Sequence, residues 1–299
     1  MAHSTTCSNS FMLTRMGELK RVVVVGAGTM GSQIALQTAL SGKYDVTLVD
    51  SVHGQLERAK AQNQKLVDRS VLKGRLTADQ AKAAMERIRD SDSLAGPAGD
   101  ADIVIEAVIE DFDAKKGVFT ELAKHAAKDA ILTSNSSTIA ISRLADHSGR
   151  PERCCNTHFF HPVTVMQLCE VARGPKTSDE TVATAMDFVR SIDRTPVLLR
   201  KEIWGFIVNR ILFAASEEAI RLLEGGYASA EDIDIAVQKG LNWPMGPFHL
   251  LDFSGLDIFY GAMKDRHRQG EGNDAPPVLE KLIKEGKLGR KTGEGFFKY

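Results

Sequence analysis

The chain has 299 residues, more than a single hydrophobic core usually organises, so two domains are expected. Apolar residues make up 43% and charged residues 26%, which excludes a disordered or collagen-like chain. With 38 basic and 39 acidic side chains there is no electrostatic footprint for nucleic acid or an anionic membrane, and no apolar run approaches the ~20 residues that cross a bilayer.

Residues 1–17 are polar and aperiodic, with Met12 and Met16 as alternative starts, and they make a poor signal peptide; a flexible extension is expected. The continuously apolar Arg21-Val-Val-Val-Val25 predicts a strand buried on both faces. A glycine turn leads into a helix from about Met30 to Leu40, with Gly42 at its C-terminus. A strand over Asp45–Val49 and a long amphipathic helix over His53–Lys73 follow, and Thr77-Ala-Asp-Gln80 opens another helix with a capping box. Further on come a strand over Ala101–Val108, a helix over Asp113–Lys124 and a strand over Ala130–Thr133. Apolar runs recur at Cys154–Phe160, Leu168–Val171 and Pro196–Leu199, with a helix over Asp179–Ile192 before the last.

This alternation predicts parallel βαβ units. Beyond Lys201 only helical periodicity remains, over Phe206–Glu224, Ser229–Gly240, Pro247–Met263 and Pro277–Glu285. The expected organisation is therefore the 1–17 extension, an α/β domain over 18–200 and an all-α domain over 201–299. Cys7, Cys154, Cys155 and Cys169 form neither a disulfide framework nor a zinc-ligand spacing. The adjacent Cys154 and Cys155 read as reduced, buried thiols of a cytoplasmic protein.

Gly26-Ala-Gly28-Thr-Met30-Gly31 lies between the first strand and the first helix. Gly26 permits the tight turn, Gly28 lets a pyrophosphate approach the backbone, and Gly31 lets helix and strand pack closely. The helix N-terminus offers N–H groups and partial positive charge to phosphates. Asp50 ends the second strand, 19 residues past Gly31. Its carboxylate suits ribose hydroxyls and repels a 2′-phosphate, so NAD is favoured over NADP. Hydride chemistry on a secondary alcohol also needs a base and a group to orient it. His158 ends an apolar run, and Glu170, 12 residues on, can meet it if the two runs pair. Alone, a histidine among apolar residues is more often a core residue.

These residues carry a resemblance. Gly26–Gly31, Ser134-Asn-Ser-Ser137, His158-Phe-Phe-His-Pro162, Met166–Val171, Gly205-Phe-Ile-Val-Asn-Arg210, Pro244-Met-Gly-Pro247 and Lys291-Thr-Gly-Glu-Gly295 are collinear over residues 20–299 with the L-3-hydroxyacyl-CoA dehydrogenase family. The resemblance implies an N-terminal Rossmann-type domain, a helical C-terminal domain, NAD as cofactor, an acyl-CoA substrate and a homodimer formed through the C-terminal domain. It implies His158 as acid or base, Glu170 as its orienting partner, and Ser137 and Asn209 as donors to the substrate oxygen. The glycine loop with Met30, Asp50, Glu110, Lys115, Ser137 and Lys291 would contact the cofactor, and Lys73 the coenzyme A phosphates. The serine that accompanies Lys73 in the family is Leu66 here.

Two further departures flank the site. His161 stands where the family has asparagine, making it a rival base, and Trp204 stands where a proline is usual, adding bulk that could narrow the acyl channel. A dehydrogenase of a free hydroxy acid or sugar acid is the alternative, and a catalytically silent NAD-binding protein the third reading.

Overall fold

A computed structural model describes residues 19–299, so the expected 1–17 extension and Cys7 lie outside the described residues. The described residues divide into two compact units between Lys201 and Glu202.

The first unit is built on an eight-stranded sheet. Its strands are β1 (Arg21–Val25), β2 (Asp45–Val49), β3 (Ile88–Ser91), β4 (Ile103–Glu106), β5 (Ile131–Ser134), β6 (Cys154–Phe159), β7 (Leu168–Arg173) and β8 (Thr195–Leu199), in spatial order β3-β2-β1-β4-β5-β6-β7-β8. The helices are α1 (Thr29–Leu40), α2 (Gln55–Leu72), α3 (Ala78–Glu86), α4 (Ala95–Asp100), α5 (Phe112–His125), α6 (Ser142–Ala145) and α7 (Asp179–Ser191). β1 explains the layering. Its side chains alternate across the sheet: Val22 and Val24 join a core with Ile34, Leu36 and Phe188, whereas Val23 and Val25 join one with Phe119, Leu122 and Leu132. Each fully buried valine contributes roughly 1.5–3 kcal/mol. Both faces being covered, the strand reads as an unbroken apolar run.

Every strand pairing is parallel except β6–β7, which is antiparallel. β6 and β7 run antiparallel because residues 160–167 are too few for the crossover a parallel pair needs. β3 and α4 were not anticipated from the sequence. Thr77 does form the capping box of α3, accepting from Gln80 N–H while the Gln80 side chain accepts from Thr77 N–H.

The second unit contains α8 (Val208–Glu224), α9 (Ala230–Leu241), α10 (Pro247–Ser254), α11 (Leu256–Arg268) and α12 (Pro277–Lys284). They pack around Phe213, Ile220, Phe248, Leu251, Phe259 and Leu279. The single helix expected over Pro247–Met263 is two, broken at Gly255, whose φ of +99° a helix cannot accommodate. The terminal segment folds back on buried Asp252, which accepts from Phe296 N–H and Phe297 N–H at 2.9 Å and from the Tyr299 hydroxyl at 3.1 Å. The Trp204 indole is 5% exposed within this unit's own core, edge-on to Phe213 and with Arg266 over its ring. Its bulk fills that core.

Candidate active site

β1 lies between β2 and β4, so the strand order reverses beside it, and the crevice beyond the carboxyl ends of β1 and β4 is where such sheets receive a ligand. The loop after β1 is shaped for that position. Gly26 has a φ of +102°, and a Cβ there would lie 2.6 Å from the Ala107 carbonyl oxygen; one on Gly31 would collide with the Gly26 carbonyl oxygen. Around Gly28 there is open space. No side chain caps α1 and no acidic residue lies in its first turn, which includes Met30. Those N–H groups fit a pyrophosphate acceptor. Asp50 follows β2, one oxygen accepting from Ala27 N–H at 2.7 Å and the other from Val52 N–H at 2.8 Å. These bonds hold the carboxylate against the glycine loop, and its remaining lone pairs suit ribose hydroxyls. The residues present therefore fit NAD.

The loops after β4 and β5 and the end of β6 open on the same edge of the sheet. β6 and β7 pair so that His158 stands directly opposite Glu170. His158 is 4% and Glu170 0% exposed. His158 Nδ1 lies 2.9 Å from Glu170 Oε2, and Nε2 lies 3.1 Å from Ser137 Oγ. A carboxylate at Nδ1 makes that nitrogen the N–H donor and leaves Nε2 a lone pair, so Nε2 accepts from the serine hydroxyl. The Phe160 ring, 4.5 Å from the imidazole centroid, covers one side. An imidazole so placed has the geometry to exchange a proton between an external oxygen and Nε2, with the carboxylate beside it to compensate an imidazolium charge. His161, the rival base, is exposed beyond the end of β6.

Behind the serine lies a charge cluster of two buried groups, Lys115 and Glu106, and the partly exposed Glu110. Lys115 on α5 is 1% exposed, with Nζ 2.8 Å from Glu106 Oε1 and 3.3 Å from Glu110 Oε2, and it donates to the Val108 carbonyl. Glu106 ends β4 at 0% exposure and accepts from the Ser134 hydroxyl at 2.6 Å. Burial pushes the Glu106 carboxyl above its ordinary value, against the pull of the Lys115 charge. Burial pushes Glu110 upward too, but Lys115 and hydrogen bonds from Ser136 and Thr138 outweigh it and hold the carboxyl below its ordinary value.

Glu106 was missed in the sequence. Its signal was a carboxylate inside an otherwise apolar strand, which needs a buried cation, and the lysine nine residues on supplies it. The three described cysteines are buried thiols. Burial pushes Cys154 up to about 11, and Cys155 and Cys169 also rise.

Lys73 is exposed at the C-terminal cap of α2, and Leu66 on the same helix packs against the core. Asn209 is the second residue of α8 and half-buried. Lys291 Nζ pairs with Asp257 at 2.5 and 2.6 Å.

Residues 21–203 match the family model for the 3-hydroxyacyl-CoA dehydrogenase NAD binding domain, and residues 205–299 match that for the C-terminal domain. The chain is 41% identical to a probable 3-hydroxyacyl-CoA dehydrogenase of Caenorhabditis elegans, covering 95% of this chain and 97% of that one. It is also 41% identical to a probable 3-hydroxybutyryl-CoA dehydrogenase of Deinococcus radiodurans, over 92% and 99% respectively. Among solved structures, (S)-3-hydroxybutyryl-CoA dehydrogenase PaaH1 from Ralstonia eutropha superposes with a TM-score of 0.88 at 35% identity, covering 94% of this chain and 99% of that one. With both of its units matched in order, the chain belongs to the 3-hydroxyacyl-CoA dehydrogenase family.

Proposed function

We propose that the chain interconverts (S)-3-hydroxyacyl-CoA and 3-ketoacyl-CoA with NAD. The observation that carries this reading is the line Ser137 Oγ, His158 and Glu170, with contacts of 3.1 and 2.9 Å, at the carboxyl edge of the nucleotide-binding sheet. Bound NAD supplies the hydride acceptor in oxidation, and its reduced form the donor in reduction. In oxidation, His158 Nε2 takes the proton of the substrate's C3 hydroxyl; in reduction it returns that proton to the ketone oxygen. Glu170 holds the ring through Nδ1 and stabilises the imidazolium. With substrate bound, the Ser137 hydroxyl turns its single proton from His158 Nε2 to the substrate oxygen, which frees the Nε2 lone pair and stabilises the negative charge that grows as the ketone is reduced. The same role is assigned to Asn209, a cofactor contact to Lys291 and the coenzyme A phosphates to Lys73. Asp50 makes NAD the preferred cofactor.

Two further readings belong to this proposal. The chain forms a homodimer through the second unit, supported by exposed Ile207 and Ile211 one turn apart, with Ile235 and Ile258 also exposed. A cytoplasmic location is supported by the buried thiols; no described helix is long and apolar enough to cross a membrane.

The test is an initial-rate panel of 3-ketoacyl-CoA chain lengths and free keto acids, each with NADH and NADPH. Reduction of acetoacetyl-CoA by NADH, well above the NADPH rate, is expected. Absence of that activity alongside turnover of free acids overturns the thioester assignment.

A further inference from the structure

The turn that carries Ser137 hangs on one carboxylate oxygen. Glu110 Oε1 accepts from Ser136 Oγ at 2.5 Å, and from Ser137 N–H, Thr138 N–H and Thr138 Oγ each at 2.9 Å. We propose that Glu110 is a positioning residue for the reaction: it anchors the turn over residues 136–138 so that Ser137 Oγ stays beside His158 Nε2, and buried Lys115, backed by Glu106, fixes Glu110 in place. The inference rests on the roles given to Ser137 and His158 above.

Three features carry it. First, the bond to Ser137 is made by its own backbone N–H, so the Glu110 carboxylate sets the position of the serine's main chain and therefore the reach of its hydroxyl. Without that acceptor, Ser137 N–H and the Ser136 and Thr138 hydroxyls lose their partner, Thr138 N–H keeps only a longer 3.3 Å contact to Ser136 Oγ, and the half-buried turn must move to find another. Second, Lys115 Nζ lies against the other oxygen of Glu110 and is itself 1% exposed. A buried ammonium held also by Glu106 and the Val108 carbonyl has no room to swing, so the Glu110 carboxylate is fixed from behind. Third, the clamp closes on the turn from its other end. Glu106 Oε2 accepts from Ser134 Oγ, and Ser134 Oγ accepts from Ser136 N–H at 3.2 Å. The end of β4 and the loop that follows it thus grip the serine turn through two carboxylates, with Lys115 of α5 between them.

A residue acting through position alters turnover, since a displacement near 1 Å costs about 10²-fold in rate. A residue acting only as a ligand to cofactor ribose alters cofactor affinity. The experiment separates the two by steady-state kinetics of acetoacetyl-CoA reduction on Glu110→Ala, Ser137→Ala and the double variant, with NADH binding measured by fluorescence titration. Glu110→Ala is expected to lower kcat by about 10²-fold while the NADH Kd stays within about twofold of wild type. Because Glu110 acts through Ser137, adding Glu110→Ala to Ser137→Ala lowers kcat by no more than about twofold further. Glu110→Gln keeps an oxygen for the turn but presents an amide N–H to the Lys115 ammonium, and an about tenfold loss is expected. Should Glu110→Ala fail to fold, the same comparison with Glu110→Gln decides. The inference is overturned if kcat is unchanged, if the effect lies in NADH affinity alone, or if the two single losses multiply in the double variant. A wild-type chain inactive on acetoacetyl-CoA, or a His158→Ala variant with full activity, overturns the reaction assignment and this inference with it.

Discussion

His158 and Glu170 face each other on adjacent strands, and in the proposed reaction that register is what directs the ring as a proton carrier. A histidine alone in an apolar run would be unremarkable. Glu170 is fully buried, and a charge in that position is tolerated only when a polar partner meets it. Glu170→Gln keeps the size and a hydrogen bond but removes the charge that compensates the imidazolium and fixes its tautomer. A kcat lower by about 10²-fold or more, at unchanged NADH affinity in the same titration, is expected; full activity would make the carboxylate a packing residue only. Both members of this pair were legible in the sequence because they fall in short motifs with a fixed separation. Glu106 was not. Its meaning lies in a partner on α5 and a hydroxyl on β5, contacts that spacing along the chain does not encode.

At the scale of elements, legibility followed periodicity. β1, β2 and α5 match their expected bounds closely because their patterns are long and uniform: unbroken β-branched residues in β1, and Asp111 capping the first turn of α5 by accepting from Ala114 N–H. β3, Ile88-Arg-Asp-Ser91, is a half-exposed edge strand with two charged residues among four, and among the described residues it pairs with β2 alone. Such a strand lacks the apolar signal of a central one. α4, Ala-Gly-Pro-Ala-Gly-Asp, is made largely of helix-breaking residues, and only Ala98 in it is buried. The β6–β7 pairing was recoverable in principle, since the connection between them leaves no room for a crossover. The site depends on that antiparallel step, because it sets the amino-terminal half of β7, with Glu170, opposite the carboxyl end of β6.

For the whole molecule, the described residues divide into two compact units between Lys201 and Glu202. The relation between a unit's surface and its partners is less legible, because exposed isoleucines on α8, α9 and α11 look in sequence like the buried ones beside them. Sedimentation at micromolar concentration is expected to give a species of twice the 32.6 kDa chain mass, and a stable monomer refutes the dimer. In the proposed reaction the imidazole of residue 158 carries the proton and takes no part in holding the cofactor. The most direct test is the rate of acetoacetyl-CoA reduction by His158→Ala beside its NADH dissociation constant. A fall in kcat of about 10²–10⁴-fold with NADH affinity close to wild type is predicted. An unchanged rate, or a loss of NADH binding in step with the loss of rate, would contradict it.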